Sequence, residues 1–145
     1  DMIENWTSAD EAEAEIMAML ARKDKIMGFG HAIYSESDPR NTIIKLWAEK
    51  LAAHAGDTVL YPVSVRCEEV MWREKKLFCN ADFFHASAYH FMGIPTKLFT
   101  PIFVMSRHTG WAAHVKEQRS NNRIIRPSAD YTGPETSEWV DIADR

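Results

Sequence analysis

The sequence predicts an all-α fold. Apolar residues recur at helical spacing along most of the 145 residues, and helix-capping residues stand ahead of several of those runs. The apolar–polar alternation of strands is nearly absent. With 46% hydrophobic and 26% charged residues, the balance is that of a globular chain able to build a core.

Ser8 followed by Glu11 makes a capping box ahead of AEAEIMAMLARK, which predicts a helix over about 9–22. The glycine-rich stretch around 28–31 interrupts the pattern. A second helix opens at DPRN, where Asp38 can cap and Pro39 takes the first helical position, and Gly56 ends it. Ile43, Ile44, Trp47 and Leu51 share one face of that helix, as in an amphipathic helix. Asp57 can cap a third segment carrying Val63, Cys67, Val70 and Met71 at helical spacing, with Pro62 weakening its first part. A short helix in ADFFHASAYHFMG stops at Gly93, and IFVMSRHTGWAAHVKEQ predicts another reaching about 118. The stretch from 119 to 135 is rich in turn residues and is expected to be irregular. Two prolines within 94–101 mark the internal boundary, giving regions 1–93 and 94–145.

A formal net charge of −4 gives no reason to expect nucleic acid or an anionic membrane as partner. No apolar run approaches the roughly 20 residues that span a bilayer. The acidic opening DMIENWTSADEAEAE lacks the pattern of a secretory leader. Cys67 and Cys79 fit no CxxC spacing, so free thiols in a cytoplasmic protein are expected. The chain opens without an initiator Met and runs at once into helical pattern, as a piece of a longer polypeptide would.

Three groups of residues can carry chemistry. His31, in GFGHAIY, sits on a glycine hinge, and imidazole titrates nearest neutrality; alone, a histidine is more often packing or surface. The GxG is no nucleotide fingerprint, since no strand precedes it and GxGxxG is incomplete. Asp82 opens an apolar helix, either as a cap or as a carboxylate made more basic by apolar walls. Arg40, Arg107 and Arg126 lie among apolar or turn residues rather than in a charge run. Guanidinium forks grip carboxylates, so three converging arginines would suit a di- or tricarboxylate; singly each reads as a surface or ion-pair residue. His85 and His90 are five apart, about 140° around a helix, and make no metal pair; no HExxH or Cys/His cluster exists, so no metal is expected. His54 and His114 read as ordinary helix residues. Spacing alone therefore reaches a helical domain with a candidate acid–base site of carboxylate-binding character.

The segments KIMGFGHAIYSESDPRN, FCNADFFHASAYHFMGIPTKLFTPIFVMSRHTGWAAHVKEQ and RIIRPSADYTGPE closely resemble the C-terminal part of citrate synthases, and together span about residues 11–135. TGWAAH and IIRPSADYTGPE look more like the bacterial 2-methylcitrate synthase branch of that family. The resemblance implies an all-α homodimer whose large and small domains close over the substrates. Residues 1–93 would belong to the small domain and 94–145 to the return into the large one. It also implies condensation of oxaloacetate with propionyl-CoA to 2-methylcitrate and CoA, with acetyl-CoA also accepted and no metal required.

By the same resemblance, His31 would hydrogen-bond or protonate the oxaloacetate carbonyl and Asp82 would remove the proton α to the thioester. Arg40 and Arg107 would hold carboxylates, and Arg126 would reach the neighbouring subunit's site. Backbone at Met27, Gly28 and Gly30, with Asn80, would lie along coenzyme A, the glycines letting the chain pass close to it. This sequence departs from the family pattern in several places. The family's further histidine, in an HGG-ANE type segment, has no counterpart here, so the chain is expected to be a C-terminal part, inactive alone. Cys79 stands where proline is expected and His108 where a small or β-branched residue is. Ser35 replaces an often basic residue that helps hold the CoA phosphate. Two alternatives follow: a citrate synthase proper using acetyl-CoA, or a non-catalytic helical module.

Overall fold

The computed structural model describes residues 2–145. Five α-helices carry the described fold: α1 (Ala9–Arg22), α2 (Pro39–Ala55), α3 (Leu60–Lys75), α4 (Ala81–Phe91) and α5 (Phe99–Ser120), with three short 3-10 turns. The described residues contain no strand, only an isolated antiparallel bridge between Phe29 and Cys79. The chain divides into two compact units, Asp1–Ser106 and Arg107–Arg145. In the first unit the ring of Tyr89 meets that of Phe99 edge-on at 5.2 Å, which ties the start of α5 to α4 and carries the unit beyond residue 93.

The capping residues act as their chemistry demands. Ser8 accepts from the Glu11 N–H at 3.2 Å, while the Glu11 carboxylate reaches back to the N–H and hydroxyl of Thr7. Asp57 accepts from the N–H groups of Leu60 and Tyr61, so α3 starts firmly although Pro62 lies in its first turn, where no intrahelical N–H is required. Lys23 and Lys76 close α1 and α3 in the left-handed conformation, a role more often taken by glycine.

In the first unit α1 packs on α3 and α2 on α4. Ile16, Val63, Cys67, Val70 and Phe84 are all fully buried there. The apolar face of α2 is divided by this packing. Ala48 and Ala52 are its buried residues, with Ile44 and Leu51 half-buried, whereas Ile43 and Trp47 are 64% and 54% exposed. Small side chains let α2 approach α4 closely, and that turns the larger residues outward. Ion pairs from Arg66 and Arg73 to Glu13 pin α3 to α1. Lys45 bridges α2 to Glu68 of α3, with its ammonium 5.4 Å above the Phe84 ring.

The second unit holds the rest of α5 and an irregular segment that ends in a 3-10 turn at Ile142–Asp144. All but two of its residues are exposed. No helix among the described residues is long and apolar enough to cross a membrane.

Candidate active site

The glycine loop and the start of α4 are stitched together by backbone and side-chain bonds. The Gly30 N–H donates to the Phe78 carbonyl at 2.8 Å, and the Asn80 N–H donates to the Gly28 carbonyl at 3.0 Å. The Asn80 carboxamide completes the link, donating from Nδ2 to the Gly30 carbonyl at 3.0 Å and accepting from the Asp82 N–H at 3.1 Å. His31 and Asp82, about fifty residues apart in sequence, thus extend from the two sides of one bridge. Asn80, rather than Asp82, is the cap of α4.

The glycines meet a definite neighbour. Gly28 has φ +93°, and a Cβ there would lie 2.7 Å from Cδ2 of Phe83. Its role in this fold is to admit that core ring against the loop backbone. Gly30, at φ +72°, has only Leu77 nearby, at 3.6 Å.

His31 is exposed but oriented. Its Nδ1 accepts from the N–H groups of Ile33 at 3.1 Å and Tyr34 at 3.2 Å. An imidazole nitrogen accepting two N–H bonds carries no proton, so the neutral ring holds its proton on Nε2 and offers a donor there. The Tyr34 ring stacks on the imidazole at 4.6 Å, and the Arg40 guanidinium lies 5.7 Å from the other ring centre, that of Tyr34.

Arg40 is held by Asp38, whose side chain is wholly buried. Asp38 Oδ1 accepts from the Arg40 N–H at 3.0 Å and Nε at 2.9 Å, and Oδ2 from Nη2 at 2.7 Å. Oδ2 also accepts from the Ala81 N–H at 2.9 Å, so one carboxylate serves the first turns of both α2 and α4. The Arg40 hydrogen bonds hold this carboxyl well below the usual carboxylate range, the Ala81 and Arg40 N–H groups adding to them, against an opposing push from burial.

Arg40 and Asp82 line a cleft of about 490 Å³ with His85, Tyr89, Phe99 and Phe103. Asp82 is exposed at this cleft, and the aromatic residues following it, Phe83 and Phe84, turn into the core instead of enclosing it. His85 approaches the Ala81 carbonyl through Nδ1 at 2.6 Å; a carbonyl only accepts, so that nitrogen bears a proton, and in the neutral ring Nε2 is then the acceptor. Thus His31 and His85 carry opposite tautomers, one presenting a donor and the other an acceptor.

Of the other residues singled out in the sequence, Met27 is 65% exposed beside Gly28, and Ser35 is exposed. Arg107, His108 and Arg126 are exposed residues of the second unit. Cys79 is buried at the bridge opposite Phe29. Among the described residues no group of three or more His, Cys, Asp or Glu side chains is arranged to hold a metal ion. Sequence reasoning gave Asp38 only a capping role and passed over Tyr34. The signal available for Asp38 was its place two residues before Arg40, within reach of that guanidinium.

A helical unit that stitches a histidine-bearing glycine loop to a helix whose aspartate shares a cleft with an arginine, the histidine itself lying outside the residues that line that cleft, defines a candidate acid–base site for a carboxylate ligand. The family model described as "Citrate synthase, C-terminal domain" matches residues 1–128, and the chain belongs to the citrate synthase family. It is 72% identical over 138 residues to a 2-methylcitrate synthase of Shewanella oneidensis, covering 94% of this chain and 37% of that one. It is 46% identical to citrate synthase 2 of Bacillus subtilis, covering 99% and 39%. Among solved structures, citrate synthase of Thermotoga maritima superposes with a TM-score of 0.81 at 35% identity, covering 99% of this chain and 40% of that one. A Thermoplasma acidophilum citrate synthase, solved with carboxymethyl coenzyme A and oxaloacetate, gives 0.82 at 31% identity, with the same coverage. The chain therefore spans roughly two fifths of the length of these relatives.

Proposed function

We propose that this chain contributes the acid–base half of an enzyme that condenses propionyl-CoA and oxaloacetate, with water, to 2-methylcitrate and CoA. Asp82 takes the proton α to the thioester carbonyl. The resulting enolate carbon attacks the ketone carbon of oxaloacetate, and the Nε2–H of His31 hydrogen-bonds the ketone oxygen as negative charge develops there. Arg40 receives a carboxylate of oxaloacetate. Water then hydrolyses the thioester and releases CoA. The observation that carries this reading is the shared cleft of Arg40 and Asp82, which joins a carboxylate receptor to a carboxylate base.

The reading calls for a coenzyme A thioester as substrate and for no metal. Met27, Gly28, Gly30 and Asn80 follow the family pattern for the CoA side of the site. For Asn80 this assigns its neighbourhood, since its carboxamide is already bonded to Gly30 and Asp82. Arg107 holds a second carboxylate, and Arg126 serves the neighbouring site of a cytoplasmic homodimer. The family's HGG-ANE histidine has no counterpart among these 145 residues, so turnover belongs to an enzyme that supplies it. Acetyl-CoA is a competing substrate, because one methylene in an apolar pocket changes the barrier by only about 1–3 kcal/mol.

The test is CoA release with oxaloacetate and either thioester. Faster release from propionyl-CoA supports this reading, and faster release from acetyl-CoA makes the enzyme a citrate synthase proper. Absence of release by the enzyme that carries the upstream histidine leaves a non-catalytic helical module.

A further inference from the structure

Arg40 has two edges able to meet a carboxylate: the side edge made by Nε and Nη2, and the terminal edge made by Nη1 and Nη2. Asp38 occupies the side edge with bonds of 2.9 and 2.7 Å. Its carboxylate is wholly buried and is itself fixed by the Ala81 N–H, one residue before Asp82. The Tyr34 ring covers the guanidinium at 5.7 Å. Arg40 is thus held by an anchor shared with the helix that bears Asp82, and its terminal edge remains for a ligand.

We infer that Asp38 is a positioning residue: it makes Arg40 present its Nη1/Nη2 edge to a carboxylate of the C4 keto-diacid, at a fixed place relative to Asp82. A buried carboxylate could serve only to cap α2, but a cap needs one bond to the Arg40 N–H, whereas three further donors converge on Asp38. The inference rests on the reading of Arg40 as the oxaloacetate receptor and adds how that receptor is aimed.

The experiment uses the full-length enzyme carrying this chain, with oxaloacetate binding measured by calorimetry and KM measured for each substrate. Asp38→Asn is expected to weaken oxaloacetate by about tenfold or more, the effect of losing one charge-assisted contact, with KM for propionyl-CoA within about twofold. Combining it with Arg40→Gln is expected to weaken oxaloacetate no further than Arg40→Gln alone. Arg40→Lys, which leaves the Asp38 bonds to both helix N-termini in place, is expected to lose a similar factor although the charge is kept. That variant tests the claim even where Asp38→Asn fails to fold. Wild-type enzyme that does not bind oxaloacetate overturns both this inference and the proposed function. Unchanged affinity in folded Asp38→Asn or in Arg40→Lys, or additive losses in the double variant, overturns the positioning role alone.

Discussion

The carboxamide of Asn80 spans the candidate site, donating to the Gly30 carbonyl at 3.0 Å while its oxygen receives the N–H that opens α4. One short side chain therefore fixes the loop of His31 to the helix of Asp82. Asn80→Asp keeps the capping oxygen but has no donor for Gly30, whereas Asn80→Ala loses both bonds. Urea unfolding should place Asn80→Ala about 1–3 kcal/mol below the wild type, with Asn80→Asp between the two. Equal losses would assign the stabilisation to the Gly30 bond rather than to the cap.

Gly28 offers a sharper contrast with Gly30. An alanine at 28 brings a Cβ to 2.7 Å from the buried Phe83 ring and also adopts φ +93°. Overpacking and left-handed strain together should destabilise the first unit by about 2–4 kcal/mol. At Gly30 the nearest atom is 3.6 Å away, so alanine meets the backbone term alone, about 1–2 kcal/mol. Thermal or chemical melts of the two variants check the order, and a milder effect at 28 would mean that Phe83 gives way.

Most of the helices were legible because capping residues and apolar spacing act locally, so Ser8, Asp38 and Asp57 could be read without knowledge of the fold. The buried face of α2 was not. Ile43 and Trp47 are more apolar than Ala48 and Ala52, yet the close approach of α4 selects the small residues. Identity reached His31, Arg40 and Asp82 through motifs, whereas the bonds that assemble them depend on long-range pairing. Asp38 meets Ala81 across forty-three positions and Asn80 meets Gly30 across fifty, distances over which local pattern carries no information.

Asp38 also sets a pH dependence. Its carboxyl titrates lower in the folded chain than in the unfolded one, chiefly through the Arg40 hydrogen bonds. The native state then binds fewer protons than the unfolded state between the two values. Its contribution to stability is full above the unfolded value of about 3.9 and is lost as pH falls through the folded value. Glu13, held low by Arg73 and Arg66, adds to the same acid limb. Stability measured from pH 6 down to about pH 2 should therefore fall less steeply in Asp38→Asn than in the wild type, and parallel curves would remove Asp38 from the acid response.

The thiols report on the core. Cys67 is fully buried and burial pushes its thiol up to about 12, while Cys79, 1% exposed, is pushed up by burial as well. Thiolate is the reactive form, so both cysteines should resist a disulfide reagent at pH 8 in the folded chain and react together on unfolding. Rapid labelling of Cys79 alone would show that the Phe29–Cys79 bridge opens independently of the core.

The tautomer of His31 follows from its two backbone donors and can be read directly. With Ile33 and Tyr34 both donating to Nδ1, a proton on that nitrogen would face two N–H groups. Nitrogen-15 chemical shifts of the neutral ring should therefore show Nδ1 unprotonated and Nε2 protonated, with His85 the reverse because its Nδ1 faces the Ala81 carbonyl. Replacing Tyr34 by alanine keeps its N–H but removes the ring stacked on the imidazole at 4.6 Å, so the tautomer should persist while the ring loses its fixed orientation. A proton found on His31 Nδ1 would instead leave Nε2 as the acceptor nitrogen of the neutral ring. Hydrogen-bond assistance to the condensation from Nε2 would then be ruled out, because only the protonated nitrogen of a neutral imidazole can donate.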